Sequence, residues 1–383
     1  MVAGRTQHIA PFLAMEVLER AQEIERGGAG VIHLEVGEPD LPTPQPIVEA
    51  ATRAITDGRT KYTHSLGLRP LREAIADHYE STYRVRVSPD QILVTAGSSP
   101  ALLLLCLTLL EPGDEVILTD PCYACYPNFV RFAGGVPVFV RITEEGGFQL
   151  TAEAVRRAVT PRTRAVVINS PANPTGAVLD PLHLADIAEL GVWVISDEIY
   201  HGLTYAGRDH SILECTDRAF VLNGFSKAYA MTGWRLGYAI APPGFVRSLQ
   251  TLHQNFFISA NEFVQWAGIA ALRECTQDVA RMRAVFDERR CFLVPRLREM
   301  GFGVAVEPTG AFYVLANAKR FCTKSYDFAF DILEHARVGL APGIDFGDGG
   351  EGYLRFSYAN SMENLAEALA RIQRFLESGG GRR

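Results

Sequence analysis

The sequence predicts an α/β protein with a large domain, in which a mainly parallel seven-stranded sheet lies between helices, and a smaller α+β domain. Three observations predict this architecture. The chain has 383 residues, and at about 100 to 200 residues per domain this length favours two domains. Apolar residues make up 48% of the chain and charged residues 21%, so a large core can be buried. From about residue 90, short β-branched runs alternate with helical stretches.

Seven apolar runs predict the strands of the large sheet. Several are apolar on both faces, as strands between two helix layers are. They cover residues 92–95, 115–119, 136–140, 165–169, 192–196, 219–223 and 236–240. A helix over 100–110 follows the first of them, and another begins near Pro181.

The last hundred residues have a different pattern. The smaller domain is predicted from a charged helix over 278–300, strands near 304–307, 312–315 and 353–357, and a closing helix over 362–376. Residues 11–26 predict a further helix and 31–34 a short strand. We therefore expect an N-terminal arm (1–40) that packs with the small domain (281–383), and a large domain between them (41–280).

Composition argues against several classes of protein. The net charge is −7 and no basic block with interleaved aromatic residues occurs, so a nucleic-acid partner is not expected. The longest unbroken apolar run, 101–107, extends to Leu110 only if Thr108 is included, which is still shorter than the ~20 residues of a membrane span, and the N-terminus shows no secretory signal. Seven scattered cysteines favour a reducing cytoplasm. Cys122 and Cys125 form a single CxxC pair, and a redox or zinc site is the less favoured interpretation of it.

Polar motifs follow four of the predicted strands. They are 97–99, 170–176, 197–200 and 224–227. Because the carboxyl ends of parallel strands share one edge of a sheet, where ligands bind, these motifs should converge. The first of them, Gly97-Ser98-Ser99, lies between a strand and a helix N-terminus and could bind a phosphate. No Gly-Lys dipeptide and no GxGxxG occur, which argues against a nucleotide P-loop and a dinucleotide site.

Lysine is scarce, since only four of the 37 basic residues are lysines. One of them, Lys227, follows an apolar strand and has Gly, Phe, Ser, Ala and Tyr as neighbours, a setting that lowers the pKa of an amine by desolvation. A neutral amine can form a Schiff base with an aldehyde, whereas an arginine cannot replace it. A lysine that only extends its amine to solvent at a strand end remains the alternative.

Asp197 follows another apolar strand, so its buried carboxylate needs a cationic partner. This partner could be a bound ligand, or a basic side chain in a purely structural ion pair. A carboxylate for a protonated pyridine nitrogen, a lysine for an aldehyde and a cradle for a phosphate together indicate pyridoxal phosphate.

These motifs resemble those of the class I, aspartate aminotransferase-like aminotransferases, which belong to the fold-type I group of pyridoxal-phosphate enzymes. The resemblance covers nearly the whole chain, from Val36-Gly-Glu-Pro-Asp40 to residues 353–359. Its most specific parts follow one another in the family's order: Tyr62-Thr63 with 67–72, then 170–176, 196–200, Ser226-Lys227 and 233–235.

The resemblance implies a transaminase with Lys227, Asp197 and Tyr200 as catalytic residues. Lys227 would carry the Schiff base and move the substrate's proton, and Asp197 would keep the ring nitrogen protonated. Asn173 and Tyr200 would bind the ring's phenolic oxygen, and Tyr123 would stack on the ring. The phosphate would lie against Gly97, Ser98, Ser99, Ser226 and Arg235, with Tyr62 reaching across from the second subunit of a homodimer. Arg355 would bind the substrate's α-carboxylate beside Gly37 and Asn173.

The chain departs from the resemblance at Ser99, where some aspartate-type relatives carry a lysine. A preference for aspartate is therefore in doubt, and alanine, an aromatic or another neutral amino acid stays open. Apolar residues 11–13 could line the side-chain pocket. Two other functions remain possible: a pyridoxal-phosphate lyase that eliminates sulfide or a thiol from a cysteine-like substrate, and a sensor without turnover.

Overall fold

The computed structural model describes residues 2–381, and its large sheet has the predicted seven strands. Strand β1 spans Ile32–His33 and pairs outside this sheet. The sheet itself is built from β2 Ile92–Thr95, β3 Glu115–Asp120, β4 Val136–Arg141, β5 Thr163–Asn169, β6 Trp193–Asp197, β7 Ala219–Gly224 and β8 Gly237–Ile240. The strand order is β2-β8-β7-β6-β5-β3-β4. Strand β8 is antiparallel to both of its neighbours, and the other pairs are parallel, so the sheet is mainly parallel.

The registers of the central strands align their polar ends. Asn169, the last residue of β5, lies beside Asp197, the last residue of β6. Strand β7 ends at Gly224, shortly before Lys227. The polar motifs at 170–176, 197–200 and 224–227 therefore leave the sheet at one edge, as the sequence indicates.

Helices cover both faces of the sheet and continue into the C-terminal part of the chain. Their ranges are α1 Leu13–Arg26, α2 Gln45–Thr56, α3 Arg69–Tyr83, α4 Ser98–Leu109, α5 Tyr126–Phe132, α6 Ala152–Ala158, α7 Pro181–Ala188, α8 Pro243–Phe256, α9 Glu262–Glu274, α10 Thr276–Glu299, α11 Ser325–Ala336 and α12 Met362–Glu377. In α4 the buried residues are mainly leucine and alanine, so this helix belongs to the core and begins directly at the sheet edge. None of the helices within residues 2–381 is long and apolar enough to cross a bilayer.

The C-terminal part forms a second, smaller sheet of β9 Tyr313–Asn317, β11 Ala341–Pro342 and β12 Tyr353–Ser357, with β12 in the centre. Strand β1 pairs in parallel with β10 Val338–Gly339, which ties the N-terminal arm to this region. The division into 1–40, 41–280 and 281–383 stays a proposal, and this pairing supports it.

One predicted strand of the small domain is wrong. Residues 304–307 form no strand, and Gly303 alone makes an isolated bridge to Asn317. The Val304 carbonyl, which a strand would need, instead accepts hydrogen bonds from the Arg298 guanidinium at 3.0 and 2.9 Å.

Candidate active site

A cavity of about 490 Å³ opens at the carboxyl edge of the large sheet, between the sheet, α1 and the small domain. Most of the residues proposed from sequence line it, and they come from both halves of the chain. They are Gly37, Ser98, Ser99, Tyr123, Asn173, Asp197, Tyr200, Ser226, Lys227, Arg235 and Arg355.

The Lys227 amine lies inside this cavity and is partly buried. Its Nζ donates a hydrogen bond to the Gly37 carbonyl at 2.5 Å. Burial lowers the pKa of Lys227 from 10.5 to about 8; the Glu38 carboxylate opposes this shift, and the Arg355 and Arg235 cations add to it. A substantial fraction of the amine is therefore neutral near physiological pH, as a nucleophile or base requires.

Asp197 presents a buried carboxylate to the same cavity and is only 8% exposed. Its Oδ2 accepts a hydrogen bond from the Tyr126 hydroxyl at 2.6 Å, and its Oδ1 accepts one from the Ile199 N–H at 3.2 Å. Burial raises the pKa of Asp197 from 3.8 to about 6, and these two hydrogen bonds oppose the rise. Among the ion pairs of the described residues Asp197 has none, so its charge is open to a cationic ligand.

Arg355, on β12, is the complementary buried cation and is 2% exposed. Its Nη1 donates to Asn173 Oδ1 at 2.9 Å, and its Nη2 donates to the Glu35 carbonyl. The guanidinium lies over the rings of Tyr313 and Phe346, with ring centroids 4.5 and 4.9 Å from Cζ. Within residues 2–381 Arg355 forms no ion pair and its Nε has no partner. Such a group is suited to bind a carboxylate.

The predicted phosphate cradle lies at the first turn of α4. Gly97 precedes this helix with φ of 103° and provides no side-chain cap, so the helix begins with N–H groups free for an anion. A Cβ at Gly97 would come within 2.6 Å of an Arg235 guanidinium nitrogen, so only glycine leaves room for that side chain. Gly97 is thus part of the support of the site, although it does not line the cavity.

Two tyrosines and two asparagines complete the polar wall. The hydroxyls of Tyr200 and Tyr313 are 2.8 Å apart. Asn169 Nδ2 donates to the Asp197 carbonyl at 3.0 Å, while Asn169 Oδ1 accepts the Asn173 N–H at 2.8 Å. Asn169 therefore holds the loop that carries Asn173 against the strand that ends at Asp197.

Tyr62 is the one proposed side chain that lies away from the cavity, and it is 81% exposed. Its loop is nevertheless fixed. The Lys61 N–H donates to Glu262 at 3.0 Å, the Thr63 N–H to Ser259 Oγ at 3.3 Å, and the Ser65 carbonyl contacts His253 Nδ1 at 2.7 Å. An ordered loop thus presents an unburied aromatic side chain to the outside of the protomer.

Sequence reasoning missed several residues of the site. Tyr126 follows the proposed Tyr123 by three positions, and Asn169 ends a predicted strand, but neither position indicates its partner. Tyr313 stands in a predicted strand of the small domain and approaches Gly37 so closely that a Cβ there would clash with its hydroxyl. Of the apolar residues 11–13 expected in the side-chain pocket, only Phe12 lines the cavity, whereas Ala14 and Met15, which were not predicted, also line it.

Comparisons with known proteins identify the family. A model of aminotransferase class I and II matches residues 29–372. This chain belongs to that family. The aspartate/prephenate aminotransferase of Thermus thermophilus is 40% identical, with 98% of both chains covered, and the (5-formylfuran-3-yl)methyl phosphate transaminase of Methanocaldococcus jannaschii is 40% identical, with 98% of this chain and 100% of the relative covered.

Solved structures agree with this assignment. The structure of a Thermus thermophilus aspartate aminotransferase with maleate superposes with a TM-score of 0.94 at 39% identity, covering 98% of this chain and 99% of the other. A Methanococcus jannaschii protein, described as similar in its active site to kynurenine aminotransferases, superposes with a TM-score of 0.91 at 40% identity, covering 98% and 100%. The predicted fold class, family and enzyme class are confirmed.

This aminotransferase uses pyridoxal 5′-phosphate, and its residues fit that cofactor. The cavity combines an amine with a lowered pKa, a buried carboxylate without a cationic partner and a helix N-terminus beside serines and an arginine. No cluster of metal-binding side chains occurs in the described chain, and each of the seven cysteines, Cys122 and Cys125 among them, is a free thiol.

Proposed function

We propose that this aminotransferase transfers the amino group of an L-amino acid with an uncharged, apolar side chain to a 2-oxo acid by a ping-pong mechanism, with Lys227 as the residue that bears the cofactor. The observation that carries the substrate class is the lining of the cavity. Its outer wall contains Phe12, Ala14 and Met15 from the start of α1, and Val36 and Tyr123 face the same space.

The charges around the cavity support this class. Three cations line it: Lys227, Arg235 and Arg355. The first is the proposed nucleophile, the second lies against Gly97 in the phosphate cradle, and the third is placed for the α-carboxylate. Among the described lining residues this leaves no cation for a second carboxylate, and Ser99 stands where a lysine would offer one. Glu38 adds a negative charge at the wall, which disfavours an acidic side chain.

Three side chains of this protein would each have a separate role in the reaction. Bound pyridoxal phosphate supplies an electron sink for the α-carbon of the amino acid. Arg355 would fix the α-carboxylate with two parallel hydrogen bonds, which also sets the orientation of the Cα–H bond. Lys227 Nζ would take the proton from Cα and deliver it to the C4′ carbon of the cofactor, because its lowered pKa suits both accepting and donating a proton. The Asp197 carboxylate would hold a proton on the ring nitrogen, stabilised by Tyr126.

A homodimer is part of the proposal. Tyr62 is exposed on a loop tied to α9 on one side and to α8 on the other, and it does not line the cavity of its own protomer. We infer that it completes the phosphate site of a second copy. The proposed cytoplasmic location rests on the free cysteines and is a prediction still.

A donor-by-acceptor panel tests the proposal. Purified holoenzyme is offered alanine, leucine, phenylalanine and aspartate with several 2-oxo acids, and the new amino acid is quantified. Amino transfer from apolar donors at a kcat/KM above that of aspartate supports the proposed class, and the reverse order contradicts it. Release of ammonia and pyruvate from a β-substituted amino acid without an acceptor would instead identify the lyase, and no turnover with any donor the sensor.

A further inference from the structure

The apolar wall of the cavity stands on a helix that lacks its own N-terminal cap. Helix α1 begins at Leu13, and Phe12 at the capping position donates no side-chain group to it. The carboxylate of Asp345, 332 residues away along the chain, takes over this role. Its Oδ1 accepts the Leu13 N–H at 2.8 Å, and its Oδ2 accepts the Ala14 N–H at 3.0 Å. Both oxygens therefore serve one helix turn.

A second anchor holds the chain on the other side of Phe12. Asn128, on α5, exchanges two hydrogen bonds with the backbone of Ala10: its Oδ1 accepts the N–H at 3.1 Å, and its Nδ2 donates to the carbonyl at 3.0 Å. Asn128 belongs to the large domain and Asp345 to the small one. The short segment that carries Phe12 is thus fixed at both ends.

The position of Phe12 depends on these anchors. Its ring packs edge-on against Tyr123, with centroids 6.0 Å apart and an interplanar angle of 89°. Ala14, two residues later, packs with Ala341 and Phe346, and the Phe346 ring lies against the Arg355 guanidinium. The apolar wall therefore meets the groups proposed for the cofactor ring and for the α-carboxylate.

We propose that Asp345 is a positioning residue for substrate selection. By capping α1 from the C-terminal part of the same chain, it holds the apolar wall formed by Phe12, Ala14 and Met15 in the position at which the side chain of an apolar substrate packs against it. This inference rests on the proposed function and names the element that enforces it. Asp345 does not line the cavity, so it would act through α1 and not by touching substrate. Loss of the Asp345 carboxylate should weaken the contacts between this wall and large substrate side chains. The kcat/KM of donors that have no side-chain atom beyond Cβ should not change.

The test compares donors in three single variants and one double variant of the full-length holoenzyme. The readout is the ratio of kcat/KM for phenylalanine to kcat/KM for alanine. In Asp345→Ala the ratio should fall about 10-fold, which corresponds to about 1.4 kcal/mol, with the change in KM and not in kcat. Asp345→Asn keeps one acceptor oxygen, so its ratio should fall less than that of Asp345→Ala. Phe12→Ala should lower the ratio at least as far, and Asp345→Ala should add nothing in that background, since both act through one wall.

Two measurements separate positioning from plain loss of stability. Amide hydrogen exchange at residues 13–16 should speed up in Asp345→Ala and not in Phe12→Ala. Thr151→Ala is the matched control, because Thr151 caps α6 by accepting the Ala154 N–H at 3.2 Å and does not line the cavity. It should lower the melting temperature and leave the donor ratio unchanged.

The outcomes distinguish this inference from the proposed function. If the wild-type enzyme prefers apolar donors and Asp345→Ala and Asp345→Asn keep the full ratio, the inference is wrong and the proposed function stands. It is also wrong if Thr151→Ala lowers the ratio as much as Asp345→Ala does. If the wild-type enzyme prefers aspartate to every apolar donor, both fail.

Discussion

Replacing Tyr126 by phenylalanine tests the electrostatics beneath the cofactor site. The Tyr126 hydroxyl is buried and donates to Asp197 Oδ2 at 2.6 Å, a short bond to a charged acceptor. A bond of this kind contributes about 1.5–3 kcal/mol in favour of the ionised carboxylate. At about 1.4 kcal/mol per pKa unit, its loss should raise the pKa of Asp197 by about one to two units. The wild-type pKa is already raised to about 6 by burial.

The assay is the dissociation constant of pyridoxal phosphate for the cofactor-free protein, measured by fluorescence titration from pH 5 to 9. An ionised Asp197 is needed to pair with the protonated ring nitrogen, so affinity should weaken as the pH falls through the pKa of this carboxyl. In Tyr126→Phe the weakening should begin about one to two pH units higher than in the wild type. Tyr205→Phe is the control, because the Tyr205 hydroxyl donates to the Ala311 carbonyl away from Asp197. Coincident profiles for Tyr126→Phe and wild type would refute the reasoning.

Three further predictions concern single groups. In the cofactor-free protein, covalent attachment of pyridoxal phosphate should accelerate with pH up to about 8 and then level off, because the neutral Lys227 amine reacts; stopped-flow absorbance with a midpoint near 10.5 would contradict the role of burial. Arg355→Lys should raise KM for amino donors by about 10- to 100-fold in steady-state kinetics, since an ammonium cannot make two parallel hydrogen bonds, and should leave cofactor affinity intact; an unchanged KM counts against the assignment. Tyr62→Phe should raise the cofactor's dissociation constant by about 2- to 10-fold, the loss of one hydrogen bond, and equal affinity in a protein shown to be dimeric by sedimentation would exclude the contact across the interface.

Local sequence patterns were sufficient to predict most of the fold. The buried strands of the large sheet are apolar on both faces, and the ranges 165–169 and 192–196 predicted from this pattern lie within two residues of β5 and β6. The converging polar motifs were predicted for the same reason, because parallel strands end at one edge. The prediction of a strand at 304–307 is wrong. The Val304 carbonyl accepts a hydrogen bond from the Arg298 side chain on α10, and the local sequence pattern does not indicate this contact.

The contacts that set the chemistry could not be predicted in this way. Tyr126 and Asp197 are 71 residues apart, Tyr200 and Tyr313 are 113 apart, and Asp345 and Leu13 are 332 apart. No local periodicity indicates which distant group a side chain meets. The motifs around Lys227 and Asp197 identified the chemistry, whereas the groups that adjust their proton affinities required the three-dimensional arrangement.

The central claim is that the Lys227 amine carries out the proton transfer at the bottom of this cavity. Replacing Lys227 by alanine and measuring amino transfer from a preferred apolar donor to a 2-oxo acid under single-turnover conditions tests it most directly. General acid–base catalysis contributes about 10²- to 10⁴-fold, so the rate should fall by at least about 10²-fold while the fold and Arg355 remain in place. A variant that transfers the amino group at the wild-type rate would contradict the account.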